Sequence, residues 1–125
     1  MSRFAKTLAV AAIAAVGTAT LATTSMASAF VAWRVADVSA DDVLMVRAYP
    51  SASSRILVGY PDGVTLSMTG RCTDDVRLDE MEDDDLDEQR ELVSGVWCEV
   101  WLDPHGTGEF RNGWVFGRYI APDGY

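Results

Sequence analysis

Strict alternation of apolar and polar residues in one nine-residue segment constrains the fold of this chain more than any other feature. In residues 64–72 the even-numbered positions are Val, Leu, Met, Gly and Cys, and the positions between them are Thr, Ser, Thr and Arg. A period of two predicts a β-strand with one face on the core and one towards solvent. Residues 96–102 repeat this period, with Cys98 in the core phase. The two segments therefore predict strands on which Cys72 and Cys98 face the same side.

Short segments rich in β-branched and aromatic residues recur along the chain, at 31–38, 43–47, 55–60 and 109–115. Turn-forming residues separate them, and Asn112-Gly113 is itself a strong hairpin-turn signal because both residues tolerate positive φ. Gly117 predicts a sharp corner before a last extended run. This rhythm predicts an all-β fold, a small barrel of about 5–7 short strands.

The first 29 residues have the three parts of a secretory signal peptide. Arg3 and Lys6 give a positive start, residues 8–16 are almost entirely apolar, and Ala27-Ser28-Ala29 offers a cleavage site. We expect cleavage after Ala29, a periplasmic or secreted product and a single domain at 30–125. A retained membrane anchor is the weaker alternative, because polar residues interrupt the stretch before the roughly 20 apolar residues that a spanning helix needs. There is no cysteine near the cleavage site, so a lipoprotein is not expected.

An acidic insertion, residues 73–95, interrupts the strand pattern. Its charged run at 73–92 holds eleven acidic and two basic side chains. The apolar residues Leu78, Met81, Leu86 and Leu92 are spaced irregularly, which is poor for an amphipathic helix and predicts a mobile loop with at most a short helical turn. Residues 30–125 carry 8 basic and 19 acidic side chains, so their net charge is 8 − 19 = −11. That charge argues against a nucleic-acid partner.

The two cysteines survive cleavage, and an even number in a small exported domain predicts a disulfide between Cys72 and Cys98. Two free thiols or half of a metal site are the alternatives, but His105 is the only histidine and is distant from both in sequence. The bridge is expected to stabilise the fold by about 3–4 kcal/mol in the chain-entropy model.

Catalytic residues are hard to find in this sequence. His105 is the only base near neutral pH, and no serine lies in a nucleophile-elbow context, so neither an enzyme nor a cofactor is expected. Asp83, Asp85 and Asp87 offer oxygen ligands to calcium. An EF-hand loop starting at Asp83 would need glycine where Glu88 stands, so a solvated charge run is the favoured interpretation.

Three strings resemble motifs of bacterial SH3 (SH3b) domains. Residues 43–51 resemble the opening "L-N-V-R-x-G-P-S", although Met45 and Tyr49 replace the usual asparagine and glycine. Residues 70–72 with 97–100 resemble the pair "G-R-C…W-C-x-V", and residues 113–120 resemble the ending "G-W-V-x-G-R-Y-L". The resemblance implies an SH3-like barrel. It also implies a non-catalytic module that binds a cell-wall peptide, peptidoglycan or another envelope protein.

Aromatic residues suggest where such a ligand would bind. Trp97 and Trp101 share the outward phase of one strand, Tyr49 lies in a loop that resembles a groove-lining loop of SH3 barrels, and Tyr119 follows the Gly117 corner. These four side chains predict a shallow groove, because aromatic rings offer large contact areas at low entropic cost. The alternative function is a protein–protein interaction in which residues 74–92 bind a cationic partner or calcium.

Overall fold

Seven β-strands and one α-helix form the described part of the computed structural model, which covers residues 31–103 and 105–125. The strands are β1 (Val31–Val35), β2 (Leu44–Arg47), β3 (Ile56–Tyr60), β4 (Thr65–Cys72), β5 (Trp97–Leu102), β6 (Arg111–Phe116) and β7 (Ile120–Pro122). Helix α1 (Leu86–Val93) lies between β4 and β5, and short 3₁₀ helices span Leu78–Glu80 and Gly117–Tyr119. No helix in these two ranges is long and apolar enough to cross a membrane. The expected signal peptide lies outside the described residues.

The strands form one antiparallel sheet in the order β3-β2-β6-β5-β4-β1-β7. The all-β prediction is confirmed, and the predicted strands match the observed ones apart from a few residues at their ends. In the described residues β3 and β7 stay at opposite ends of the sheet, and no strand pairing joins them. The pairing therefore does not close the sheet into the predicted barrel.

The core lies on the face that the alternation predicted. Leu66, Met68 and Cys72 of β4 are buried together with Cys98 and Val100 of β5, in one apolar cluster. Cys72 and Cys98 are directly opposite in the β4–β5 register, with their Cα atoms 4.0 Å apart, and they form a disulfide. The predicted bridge is thus confirmed, and it joins the two strands at the base of the acidic insertion.

The acidic insertion has regular structure, so the prediction of at most a short helical turn is wrong. Helix α1 has two turns, and its N-terminus is capped by Asp85, whose carboxylate accepts the backbone N–H of Glu88 at 2.8 Å. Its buried residues are Gln89 and Val93, which are four positions apart and share one face. Leu86, one of the apolar residues whose spacing was used to predict a loop, is exposed.

A buried glutamine explains why the spacing of apolar residues did not predict this helix. The Gln89 amide nitrogen donates to the carbonyl of Asp84 at 2.8 Å and to that of Glu82 at 3.4 Å, so its polar atoms are satisfied below the surface. Before the helix, Leu78 and Met81 are also buried. The insertion therefore has a small core contribution of its own, and it presents its carboxylates to solvent.

Asn112-Gly113 is not a hairpin turn, contrary to its turn signal, and the strand predicted at 109–115 is confirmed as β6. Both residues lie within β6, where Gly113 is opposite Val100 and does not adopt positive φ. A Cβ at Gly113 would lie 2.5 Å from Val46 Cγ1, so glycine is needed here for close packing rather than for a turn. The chain reverses before β6, where the Asp103 carboxylate accepts the backbone N–H groups of Thr107 at 3.0 Å and Gly108 at 2.9 Å.

The corner predicted at Gly117 is confirmed as the start of a 3₁₀ helix that leads into β7. A Cβ on Gly117 would lie 1.9 Å from the carbonyl oxygen of Val93, at the end of α1. The Gly117 N–H donates to the Val96 carbonyl at 2.8 Å. Glycine at this corner therefore lets the acidic insertion lie directly against the sheet.

Candidate functional site

A groove of about 620 Å³ opens on the outward side of β2, β5 and β6. One wall is the β1–β2 connection at residues 37–43, and the other is a row of three aromatic side chains, which we call the aromatic wall. The lining residues are Asp37, Val38, Ser39, Asp42, Val43, Leu44, Met45, Arg47, Ala52 and the aromatic wall Trp97, Phe116 and Tyr119. We refer to this cavity as the aromatic groove.

Strand pairing places the aromatic wall. Trp97 of β5 is directly opposite Phe116 of β6, and their ring centroids are 5.3 Å apart. Phe116 is in turn 6.5 Å from the ring of Tyr119, which the Gly117 corner brings to the same side. These separations are those of favourable aromatic pairs. The wall is therefore held by the sheet itself, and it presents a continuous apolar surface.

Asp37 holds the rim of the groove to two other parts of the molecule. Its backbone adopts positive φ (59°), and its carboxylate accepts hydrogen bonds from Arg90 of α1 and from Arg118, the latter at 3.5 Å. The hydrogen bond from Arg90 is the main cause that lowers the pKa of Asp37. Asp37 therefore carries its negative charge at neutral pH and links the groove to the acidic insertion.

The other charged groups of the groove are Asp42 and Arg47. Asp42 is exposed, and its carboxylate accepts the N–H of the next residue at 2.8 Å. The Arg47 guanidinium donates to the carbonyl of Ser54 at 2.8 Å, so its direction is set by the β2–β3 loop. The groove thus combines an apolar wall with carboxylates at its rim.

The structure brings together two of the four predicted groove residues. Trp97 and Tyr119 line the aromatic groove. Trp101 lies on the same face of β5 but further along, where its ring is 6.4 Å from that of Phe110. Tyr49 is 70% exposed in the β2–β3 loop and does not line the groove.

Sequence reasoning missed Phe116, Met45 and Asp37 as groove residues. The first two had a usable signal, because both lie in the outward phase of their strands. Pairing β5 with β6 would have set Phe116 beside Trp97. Asp37 had no local signal, since its position depends on contacts with Arg90 and Arg118, which are 53 and 81 residues away in sequence.

Glu99 shares the outward phase of β5 with Trp97 and Trp101, yet it is buried. It is only 6% exposed, and its carboxylate accepts hydrogen bonds from Thr69 and Arg71 at 3.0 Å and from Asn112 at 2.9 Å. The Arg71 guanidinium also lies 5.5 Å from the ring centroid of Trp114.

Side chains from the two neighbouring strands, β4 and β6, cover the carboxylate of Glu99. Trp114 is directly opposite Glu99 in the β5–β6 register and lies beside the Arg71 guanidinium, and Val115 is fully buried. This cluster stabilises the outer face of the sheet beside the aromatic groove.

The aspartates suggested for calcium are all exposed. Asp85 already uses its carboxylate to cap α1. Within the part of the chain that the structure describes, no three His, Cys, Asp or Glu side chains are grouped closely enough to hold a metal ion. Calcium binding by Asp83, Asp85 and Asp87 stays a prediction without geometric support.

Comparison with known proteins gives no match, whether by family model, by sequence to curated proteins or by fold to solved structures. The relation to SH3b domains therefore depends on the three local strings.

Proposed function

We propose that this protein is an exported, non-catalytic, SH3b-like module that binds a cell-envelope peptide, a peptidoglycan fragment or an envelope protein in the aromatic groove. The finer fold, an SH3-like arrangement of the strands whose pairing leaves the sheet open, is part of this proposal and has its support in the three sequence strings. The observation that carries the function is the aromatic wall, a row of three adjoining, mutually tilted and partly exposed rings beside a cavity of about 620 Å³.

Size and chemistry of the groove support a ligand of a few residues or sugar rings. Binding cavities for small molecules have volumes of roughly 300–1,000 Å³ and are mostly apolar with a few polar groups. Here Trp97, Phe116 and Tyr119 supply the apolar surface, while Asp37 and Asp42 offer hydrogen-bond acceptors at the rim. Acceptors beside aromatic rings suit hydroxyl groups, amide N–H groups and amines.

Tryptophan fluorescence during titration with soluble peptidoglycan fragments tests this function. The ligand should change the emission, and Trp97→Ala should weaken binding by tenfold or more, the equivalent of about 1.4 kcal/mol. Trp101→Ala is the matched control, because Trp101 shares the outward face of β5 but does not line the groove. Absence of any fluorescence change, or equal loss in both variants, would contradict the proposal.

Export is proposed from the first 29 residues. N-terminal sequencing of the protein recovered from outside the cytoplasm should begin at Phe30, after cleavage behind Ala29. Recovery of a chain that still begins at Met1 from a membrane fraction would instead support the anchor.

The alternative function, capture of a cationic partner by residues 74–92, has one specific observation in its favour. All eleven acidic side chains of the charged run are exposed, and within the described residues Arg77–Asp79 is the only ion pair between side chains of that run. Oligolysine binding that weakens steeply with salt and falls in Asp83→Asn/Asp84→Asn would support it, because exposed charges are screened at high ionic strength. Binding in the aromatic groove should change little with salt.

A further inference from the structure

A second cavity, of about 280 Å³, lies beside the edge strand β3 and the hairpin between β5 and β6. It shares no lining residue with the aromatic groove. We call it the β3 cavity. Apolar or aromatic side chains and three nitrogen-bearing ones line it, and no carboxylate does: Arg55, Ile56, Leu57, Val58, Tyr60, Leu102, His105 and Arg111.

The arginines of this acidic protein are nearly all engaged within the fold. Residues 31–125 contain eight, against nineteen Asp and Glu. Four form ion pairs, namely Arg71, Arg77, Arg90 and Arg118. Two more, Arg34 and Arg47, donate to backbone carbonyls.

Arg55 and Arg111 are the remaining two, and both line the β3 cavity. Neither has a side-chain hydrogen bond or ion pair in the described ranges. In a chain with such an excess of carboxylates, two unengaged guanidinium groups at one cavity mark a local site for an anion. The negative charge of the rest of the protein would repel a diffuse polyanion, so the site favours a single, well-placed acidic group.

Strand β3 supplies the second feature. It is at the end of the sheet and pairs with β2 alone among the described strands. Its outer backbone N–H and C=O groups therefore have no strand partner, which is the arrangement that accepts an added peptide strand. Ile56, at the start of β3, is 49% exposed and offers apolar contact at this edge.

We propose that the β3 cavity binds an extended peptide segment with an acidic side chain. The carboxylate of this side chain meets the guanidinium groups of Arg55 and Arg111 in the cavity, and the rest of the segment continues along β3. Guanidinium forks suit carboxylates because two parallel N–H groups match two oxygens. The apolar lining, Leu57 and Leu102 among it, receives a neighbouring apolar side chain. This site does not depend on the function proposed for the aromatic groove.

Backbone amide NMR on the intact protein tests the proposal. The probe is the acetylated and amidated pentapeptide Val-Glu-Val-Glu-Val, and the matched control peptide has glutamine in place of both glutamates. The acidic peptide should shift amides of β3 and of the β5–β6 hairpin. The expected loss in Arg55→Gln and in Arg111→Gln is about tenfold in affinity each.

Arg77→Gln is the matched protein control, because it removes the same charge from an exposed arginine outside the cavity. Both cavity arginines are exposed, so their variants should keep the wild-type spectrum without ligand. Equal binding of the glutamine peptide, equal loss in Arg77→Gln, or equal binding of free glutamate would overturn the proposal. Self-association that Arg55→Gln abolishes would assign the cavity to a second copy of the chain and would overturn it too.

Discussion

The strand pair β4–β5 and the acidic insertion that connects its strands hold their structure by different means. In β4–β5, every second residue over two strands enters the same core, and neighbouring backbones share one antiparallel ladder. The insertion is held by a few separate contacts: buried Leu78, Met81, Gln89 and Val93, the close approach to Gly117, and the ion pair of Arg90 with Asp37. Loss of one contact should therefore change the insertion much more than the ladder.

This difference bears on function because the insertion reaches the aromatic groove. Helix α1 packs against β7 and the 3₁₀ helix that carries Tyr119, and its Arg90 binds Asp37 at the rim. The aromatic wall itself belongs to the sheet, because Trp97 lies on β5 and Phe116 is paired with it on β6. One side of the groove is thus supported by the sheet, and the rim is supported by the insertion.

The largest effect is expected from the disulfide, which both regions share. Replacement of Cys72 and Cys98 by serine should lower the free energy of unfolding by about 3–4 kcal/mol, because the bridge no longer restricts the unfolded chain. Urea denaturation measures this loss. Reductant should destabilise the wild-type protein and leave the double variant unchanged; equal stability of the two proteins without reductant would contradict the prediction.

A methyl group at Gly117 should weaken the packing of the acidic insertion and leave the strand pair β4–β5 intact. Gly117→Ala places a Cβ against the carbonyl oxygen of Val93, a backbone atom, so the cost should be about 2–3 kcal/mol. Gly95→Ala is the matched control, since a Cβ there meets nothing within 4 Å.

Hydrogen exchange shows where the cost of Gly117→Ala falls. Faster exchange should appear first in α1, while β4 and β5 keep their protection. Uniform loss of protection in both regions would contradict the difference described above.

A substitution at Glu99 tests the sheet without involving the acidic insertion. Glu99→Gln keeps the shape but weakens the hydrogen bonds from Arg71 and Asn112, and we expect a loss of about 1–2 kcal/mol in chemical denaturation. Hydrogen-exchange protection in α1 should not fall more than protection in β5. Arg77→Gln, which removes an exposed ion pair, should change stability by less than about 0.5 kcal/mol.

A small effect with a pH signature is expected from Asp37. Since the pKa of Asp37 is lowered in the folded protein, its contribution to stability is present above the ordinary value of 3.8 and is lost as pH falls through the lowered pKa. Asp37→Asn should therefore reduce the melting temperature at pH 7, and the difference should shrink below pH 3.8. A difference that stays constant down to pH 2 would show that the ion pairs with Arg90 and Arg118 contribute nothing.

Much of the sheet and part of the candidate site were predictable from sequence. The alternation in residues 64–72 and 96–102 placed both cysteines in the core and Trp97 on the outer face, as found. Gly113 and Gly117 stand out in the sequence, but a glycine that forms a turn and a glycine that close packing requires look the same there. The β5–β6 register places Gly113 within a strand, and Val46 lies where a side chain on Gly113 would be.

Helix α1 and the burial of Glu99 were not predictable from the local pattern. Gln89 and Glu99 are polar, and a polar residue enters a protein interior only where partners satisfy its hydrogen bonds. Those partners are backbone carbonyls nearby for Gln89 and side chains on β4 and β6 for Glu99.

By itself, the sequence determined the strands, the face of the sheet that forms the core and the disulfide, because these follow from local composition, from the period of two along single strands and from the even number of cysteines. The tertiary structure alone decided the order of the strands, the seat of the acidic insertion on Gly117, and the grouping of Trp97, Phe116 and Tyr119 with Asp37. These features join residues far apart in the chain. Such contacts form only once the sheet has brought the residues together, and no local periodicity records them.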